Sequence, residues 1–180
     1  MGSESVSGLT ATSMLLSIEG LIGAGKTTLL RALEKVLSGL GWTVVIIDEP
    51  VEEWMKPMDA MDPSGRSLLD AFYEEPVLFS FPFQVSALLS RFQYITDAVT
   101  GVCGSAKRVL FITERCLQSD KACFADMLFN EGKMSALEFG LYNRIYDILR
   151  LRSPSVSGMV HLATTARTCH DQMTARGREA

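Results

Sequence analysis

The sequence has few of the residues that build metal centres and disulfide networks. Its four cysteines form no C-x-x-C pair, and with only two histidines the chain has no zinc-ligand spacing. The cysteines are therefore predicted to be free thiols, as in a cytoplasmic compartment, with a mitochondrial location left open.

Long apolar runs and an excess of basic charge are also missing. No run approaches the roughly 20 apolar residues of a membrane helix, so we expect no membrane partner. The net charge of −4 and the pI near 5.2 argue against binding to a nucleic-acid polymer. Residues 1–13 are mostly small, rich in Ser and Thr, and contain no Lys or Arg, which is typical of a disordered tail and not of a signal or transit peptide. Residues 14–180 are predicted to form one globular domain.

One motif stands out among the residues that are present. Residues 20–27 have the sequence GLIGAGKT, which fits the phosphate-loop pattern G-x-x-x-x-G-K-[ST]. Its glycines let successive N–H groups point at one anion, Lys26 would reach the outer phosphates, and the Thr27 hydroxyl would bind Mg²⁺. An apolar run at 14–18 precedes the loop and a helical pattern at 27–37 follows it, as the motif requires. The predicted phosphate-binding residues are Gly20, Leu21, Ile22, Gly23, Ala24, Gly25, Lys26, Thr27 and Thr28.

Apolar strands alternate with helical stretches along the rest of the chain. Further strands are predicted at 43–47, 109–113 and 159–162, with His161 packed inside the last one. Helices are predicted from Ser67, from Pro76, from a cap at Ser119 or Asp120, from Ser135 and from about 165. This alternation indicates an α/β fold with a parallel sheet covered by helices on both faces.

This topology brings charged residues to one edge of the sheet. Ligands of open α/β sheets bind beyond the carboxyl ends of the strands. Glu49 follows the second strand, and Glu114 and Arg115 follow the third, so we expect all three on the same edge as the phosphate loop. A carboxylate beside phosphates serves a metal or removes a proton, which predicts a phosphoryl-transfer site. Simpler interpretations stay open, namely a helix N-terminal role for Glu49 and a local ion pair between Glu114 and Arg115.

The ordered set of motifs resembles the deoxynucleoside kinases, which include deoxycytidine, deoxyguanosine and mitochondrial thymidine kinases. The set consists of residues 20–27, Glu49-Pro50-Val51 with Trp54, Phe83-Gln84 with Arg91, Glu114-Arg115, Asp120 with Phe124, and Arg176-Gly177-Arg178. The resemblance extends over residues 14–180 and implies a P-loop NTPase three-layer sandwich of the adenylate-kinase type. It also implies transfer of a phosphoryl group from ATP, with Mg²⁺, to the 5′-hydroxyl of a deoxynucleoside, by a homodimeric enzyme of nucleotide salvage.

The resemblance also implies which residues carry the chemistry. Glu49 would accept the proton of the 5′-hydroxyl, and Glu114 would help to hold Mg²⁺ or would be the base instead. Arg115 would pair with the 5′-oxygen and the transferring phosphoryl group, while Lys26 neutralises the phosphates. Arg176 and Arg178 would close over ATP as lid residues.

The nucleoside site is implied in the same way. Gln84 would bind the base through its amide, and Tyr73 would meet the sugar 3′-hydroxyl. The aromatic residues implied to enclose the base are Trp54, Phe83 and Phe124. Ala87, Arg91 and Asp120 resemble the deoxycytidine and deoxyguanosine branch, which implies deoxycytidine or purine deoxynucleosides as substrates. The alternatives are a solvated polar stripe for Gln84 and Arg91, and plain core positions for Trp54, Tyr73 and Phe124.

Three departures from the family pattern affect these expectations. Cys116 follows the Glu-Arg pair where a small hydroxyl residue is usual, and Gln172 replaces the first lid arginine. The sequence ends at Ala180, before the last strand and the adenine-binding loop of the family, so we expect a fragment or a shortened member with little activity alone. A nucleoside monophosphate kinase and a non-catalytic nucleotide-binding module stay open as other classes.

Overall fold

The computed structural model of the protein describes residues 13–57, 65–102 and 108–176, and these form two compact units. The first unit contains residues 49–57, 65–94 and 117–153. The second contains residues 13–48, 95–102, 108–116 and 154–176. The predicted N-terminal tail lies outside the described residues, apart from Ser13.

The second unit contains a four-stranded parallel sheet. Strands β1 (Ser13–Glu19), β2 (Thr43–Ile47), β3 (Val109–Glu114) and β4 (Gly158–His161) lie in the order β2-β3-β1-β4. They confirm the four predicted strands. Central β3 is buried along nearly its whole length, whereas β2 and β4 are edge strands and are only partly covered. The prediction that His161 is packed is wrong, because it ends an edge strand and is exposed.

Helices begin close to the positions that their sequence signals indicate. They are α1 (Lys26–Gly39), α2 (Val51–Trp54), α3 (Leu68–Glu74), α4 (Pro76–Gly101), α5 (Leu117–Ser119), α6 (Asp126–Asn130), α7 (Ala136–Arg150) and α8 (Ala166–Arg176). Ser67 and Ser135 cap α3 and α7 in reciprocal capping boxes. A π-helical turn, Asp120–Ala125, lies between α5 and α6. The predicted cap at Ser119 or Asp120 is therefore wrong, since the helical run already begins at Leu117.

In the second unit, alternate strand residues face two helical layers. On one face, Leu30 of α1 packs with Ile18 and Ile112. On the other face, Ile95 from the C-terminal part of α4 packs with Phe111. This arrangement confirms the predicted three-layer α/β architecture. Because β1 and β3 pair in parallel, their carboxyl ends lie side by side.

The first unit is helical and packs around two apolar clusters. One cluster joins α4 to α7 through Leu88 and Tyr142, which are both fully buried. The other joins α2 to α4 through Trp54, Phe83 and Ala87. Among the residues that the structure describes, no helix combines the length and the apolar character needed to span a membrane.

Candidate active site

The predicted phosphate loop connects β1 to α1 in the second unit. Gly20, Gly23 and Gly25 have φ angles of 151°, 78° and 92°, which glycine adopts without the steric cost of a side chain. A Cβ on Gly23 would also collide with the backbone carbonyl of Cys169 and crowd Met173, both on α8. Conformation and space therefore both require glycine at this position.

Three side chains meet where the loop adjoins the end of β3. Lys26 Nζ lies 3.4 Å from Glu114 Oε1 and donates to the Leu21 carbonyl oxygen over 3.0 Å. The Thr27 hydroxyl donates to Glu114 Oε2 over 2.9 Å. The side chain of Lys26 is 5% exposed and that of Glu114 is 12% exposed. The structure thus confirms that the loop and Glu114 share one edge of the sheet, where Glu114 contacts Lys26 and Thr27.

Thr27 and Glu114 present oxygen atoms of the kind that Mg²⁺ prefers. These two oxygens are already in contact, and Thr27 is exposed. Within the described ranges, no group of three or more His, Cys, Asp or Glu side chains forms a metal cage. Magnesium is commonly held by one or two carboxylates together with substrate phosphates and water, so this small donor set fits the ion.

Arg115 has an unusual backbone conformation next to this cluster. Its φ of 67° is the only positive value for a non-glycine residue among the described positions. Its N–H donates to the Ile18 carbonyl over 3.2 Å, and its own carbonyl accepts from the Thr113 hydroxyl over 2.9 Å. Such a conformation costs roughly 1–3 kcal/mol and concentrates at functional sites. The sequence singled out Arg115 but carried no signal of this strain.

The two departures in this unit have simple environments. Cys116 is fully buried, with Sγ 3.6 Å from Glu19 Oε1. The same Glu19 oxygen accepts a hydrogen bond from Ser17. Sequence reasoning did not identify Glu19, which precedes the phosphate loop. Gln172 is exposed on α8.

In the first unit, Arg91 lies between two carboxylates. Its Nη2 is 3.0 Å from Glu49 Oε1 and 3.5 Å from Asp120 Oδ1. The side chains of Arg91 and Asp120 are each 3% exposed, and that of Glu49 is 22% exposed. Burial alone would lower the pKa of Arg91, but the charges of Asp120 and Glu49 outweigh this and hold the pKa above its ordinary value. The guanidinium is therefore a permanent charge in a buried setting.

Aromatic rings stand beside this charged group. Trp54 donates through Nε1 to the Ser90 hydroxyl over 2.9 Å, and its ring lies 5.8 Å from the Arg91 guanidinium. Phe83 meets Trp54 edge-on at 5.6 Å and stacks on Phe72 at 4.8 Å. Phe72 and Ser90 were not predicted. Phe72 lay in a predicted helix, whereas nothing in the sequence distinguished Ser90.

Gln84 carries a buried polar atom with unused capacity. Its side chain is 3% exposed, and Oε1 has no hydrogen-bond partner among the described residues. A buried polar group left in this state costs roughly 1–3 kcal/mol, so a ligand donor would be stabilising there. The interpretation of Gln84 and Arg91 as a solvated stripe is wrong, because both are buried. Ala87, between them on α4, is also buried.

The remaining predicted residues take no part in the contacts given above, or they lie outside the described residues. Tyr73 is 62% exposed, so its alternative as a core residue is wrong, and a contact with a sugar stays a prediction. Phe124 is half-buried in the π-helical turn. Arg176 is the last residue of α8, and Arg178 lies outside the described residues.

Comparisons with known proteins agree with these observations. The family model described as deoxynucleoside kinase matches residues 16–180. The chain is 31% identical to deoxycytidine kinase 2 of Gallus gallus over 176 residues, covering 91% of this chain and 65% of the relative. It is 30% identical to deoxycytidine kinase of Homo sapiens over 175 residues, covering 91% and 66%. It is 26% identical to mitochondrial deoxyguanosine kinase of Xenopus laevis over 174 residues, covering 91% and 64%. The chain thus spans just under two thirds of the length of these curated relatives.

Proposed function

The chain belongs to the deoxynucleoside kinase family, and from that premise we propose that it transfers the γ-phosphoryl group of ATP to the 5′-hydroxyl of a deoxynucleoside. The observation that carries the proposal is the phosphate loop whose Lys26 and Thr27 contact Glu114. The relatives named as deoxycytidine and deoxyguanosine kinases support a deoxynucleoside as the acceptor.

On the donor side, the loop N–H groups and the N-terminus of α1 bind the phosphates. Lys26 neutralises the outer phosphates, and Thr27 and Glu114 hold Mg²⁺. The bound ion supplies further neutralisation of the phosphate charge. Arg115 faces the transferring group, and Arg176 and Arg178 belong to the lid.

On the acceptor side, Glu49 accepts the proton of the 5′-hydroxyl while the hydroxyl oxygen attacks the γ-phosphorus. The bond from that phosphorus to the β–γ bridging oxygen breaks, and ADP leaves with the electron pair. General-base help of this kind contributes roughly 10²–10⁴ in rate. Gln84 binds the base, Tyr73 meets the 3′-hydroxyl, and Trp54, Phe83 and Phe124 enclose the base.

The buried charges favour certain bases. Arg91 donates to a ring nitrogen or carbonyl, and Asp120 accepts from an exocyclic amino group or orients Arg91. Cytosine and adenine offer both groups, and guanine offers acceptors to Arg91, whereas thymine would place a methyl group beside the charges. Leaving such groups unpaired gives a preference of roughly tenfold to hundredfold against thymidine.

The same charges disfavour a nucleoside monophosphate kinase. Two carboxylates, Glu49 and Asp120, share one guanidinium, so this group has a formal net charge of −1. An acceptor that already carried a phosphate would be repelled by it and would call for additional basic residues. A neutral nucleoside carries no such penalty.

We also propose a homodimer and a reducing compartment, either cytoplasmic or mitochondrial. Helix α7 exposes Leu137, Leu141 and Ile148, which share one helical face and are 84%, 48% and 46% exposed. Apolar patches of this kind favour association with a second copy. Of the described cysteines, Cys116, Cys123 and Cys169 are free thiols, which supports the reducing compartment.

The test is ATP consumption with each natural deoxynucleoside, with monophosphates, and with no acceptor. In a full-length version of the protein, we expect turnover with deoxycytidine and purine deoxynucleosides to exceed turnover with thymidine. Lys26→Ala should abolish turnover, and Lys35→Ala, an exposed position on the same helix, is the matched control. Thymidine or a monophosphate as the best acceptor, or more than about a tenth of activity left in Lys26→Ala, would contradict the proposal.

A further inference from the structure

We infer that Arg91 is a positioning residue that withholds Glu49 until a nucleobase binds to the guanidinium. The inference rests on the proposed function, because it concerns the proposed general base. Its starting point is that one atom, Nη2 of Arg91, contacts both Glu49 Oε1 and Asp120 Oδ1. A base that accepts a hydrogen bond from this atom competes with one of the two carboxylates.

The structure indicates which carboxylate gives way. Asp120 is 3% exposed and sits inside the π-helical turn, so its departure would strand a buried charge. Glu49 is 22% exposed and has a longer side chain, so its carboxylate can turn toward water or the sugar. Displacement of Glu49 is therefore the less costly exchange.

The guanidinium itself is held in place. Trp54 lies 5.8 Å from it and is anchored through its hydrogen bond to the Ser90 hydroxyl. Ser90 in turn donates to the Ala87 carbonyl over 3.1 Å within α4. The Trp54 ring therefore fixes the position of Arg91 on one side. Of the two carboxylates that contact the guanidinium, Glu49 is the one that can move.

A functional coupling follows from this exchange. While Arg91 holds Glu49, the carboxylate oxygen Oε1 is engaged by the guanidinium and is less accessible to a 5′-hydroxyl. A base that takes over Nη2 frees Glu49 to accept the 5′-hydroxyl proton. The base edge thus governs the catalytic step as well as binding, and a nucleoside without a suitable acceptor leaves the general base paired.

Carboxylate labelling tests the release directly. The whole protein is treated with a carbodiimide and an amine, and modification of Glu49 is measured by peptide mass spectrometry. The probe ligand is 2′,5′-dideoxycytidine, which offers the base but has no 5′-hydroxyl to shield Glu49. We expect ligand binding to raise the modification of Glu49 roughly fivefold. The loss of a partly exposed ion pair changes an equilibrium by a factor of about this size. Glu74, which forms an exposed pair with Arg66 in the same unit, is the internal control and should not change.

Three variants separate positioning from structure. Arg91→Met should give high labelling of Glu49 with and without ligand. Arg91→Lys keeps a cation and should restore low labelling without ligand, which covers the case in which Arg91→Met folds poorly. Asp120→Asn should keep Glu49 protected. Arg66→Met is the matched control for loss of a charge in this unit.

Steady-state kinetics provide the second readout. A deoxynucleoside analogue whose base lacks hydrogen-bonding groups should show a lower kcat than deoxycytidine with the unchanged protein, beyond any rise in KM. In Arg91→Met, the two kcat values should converge. If the two kcat values converge in Arg91→Met while KM still differs between the analogue and deoxycytidine, the result supports the coupling.

The outcomes distinguish the two levels of proposal. If calorimetry detects no binding of deoxycytidine or its dideoxy analogue, the proposed nucleoside site is wrong, and this inference is overturned with it. If binding occurs but the labelling of Glu49 does not change, or if the analogue differs from deoxycytidine only in KM, the inference alone is overturned.

Discussion

Removing Arg91 and Asp120 together should destabilise the protein much less than the two single substitutions imply. Arg91→Met leaves Asp120 as a carboxylate with almost no access to water. Asp120→Ala leaves Arg91 with Glu49, so its effect should be smaller. The double variant removes both charges and fills part of the space with apolar groups.

The magnitude follows from the geometry. Unit charges separated by the 3.5 Å between Arg91 Nη2 and Asp120 Oδ1 attract by about 5 kcal/mol at an effective dielectric constant near 20. Desolvation of both ions offsets much of this attraction, so the intact pair contributes little net stability. Loss of one partner removes this attraction while the desolvation cost of the other ion stays, and we expect Arg91→Met to lower the free energy of unfolding by about 3–5 kcal/mol.

Urea denaturation followed by far-UV circular dichroism measures the four free energies of unfolding. We expect a coupling energy of about 2 kcal/mol or more between the two substitutions. The coupling should persist at high salt, because buried pairs are weakly screened. The parallel cycle on Arg66 and Glu74, an exposed pair in the same unit, should give about 0–1 kcal/mol that salt removes.

Additivity would refute the reasoning. If the changes in unfolding free energy of the two single variants add to that of the double variant within about 0.5 kcal/mol, Arg91 and Asp120 do not share a charge interaction. Arg91, Asp120 and Glu49 would then not act together. An increase in stability for Arg91→Met alone would contradict the burial of Asp120 as a charged group.

Two further predictions concern the carboxylates proposed to be catalytic and the proposed dimer. Glu49→Gln should lower kcat by roughly 10²–10⁴ with nucleoside affinity kept. Glu114→Gln should act mainly by raising the Mg²⁺ concentration needed for activity. If the two variants showed the opposite effects, Glu114 would be the general base. Leu141→Glu should shift sedimentation equilibrium from dimer to monomer, while Lys133→Glu, at a partly exposed position just before the same helix, should not. A protein that is monomeric without substitution would disprove the proposed dimer.

The parts of the fold that local pattern controls could be predicted from the sequence. Runs of apolar residues predict the strands, because the apolar character that marks a strand is contained in its own short segment. Ser67 and Ser135 predict helix starts because a capping box is closed within four consecutive residues. The phosphate loop is local in the same sense, and its backbone φ angles are those its glycines allow.

What the sequence could not indicate depends on distant partners. Asp is a residue type common at helix caps, but Asp120 is buried in a π-helical turn and contacts Arg91, 29 positions away in the sequence. His161 lies in an apolar run, and only the strand order shows that it belongs to an edge. Arg115 has a left-handed conformation, and its N–H donates to the Ile18 carbonyl on another strand, a contact that its own sequence neighbours do not encode.

A common feature of the two units suggests how ligand-free charges are accommodated. The buried ammonium group of Lys26 lies beside the carboxylate of Glu114, and the buried guanidinium of Arg91 lies beside that of Glu49. On the proposed function, each cation is one that a substrate requires, and each carboxylate is one that the chemistry requires. Phosphates arriving at Lys26 would free Glu114 for Mg²⁺, and a base arriving at Arg91 would free Glu49 for the proton. On this proposal the carboxylates limit the cost of burying the cations before binding, and the same exchange would make them available only when their substrates are present.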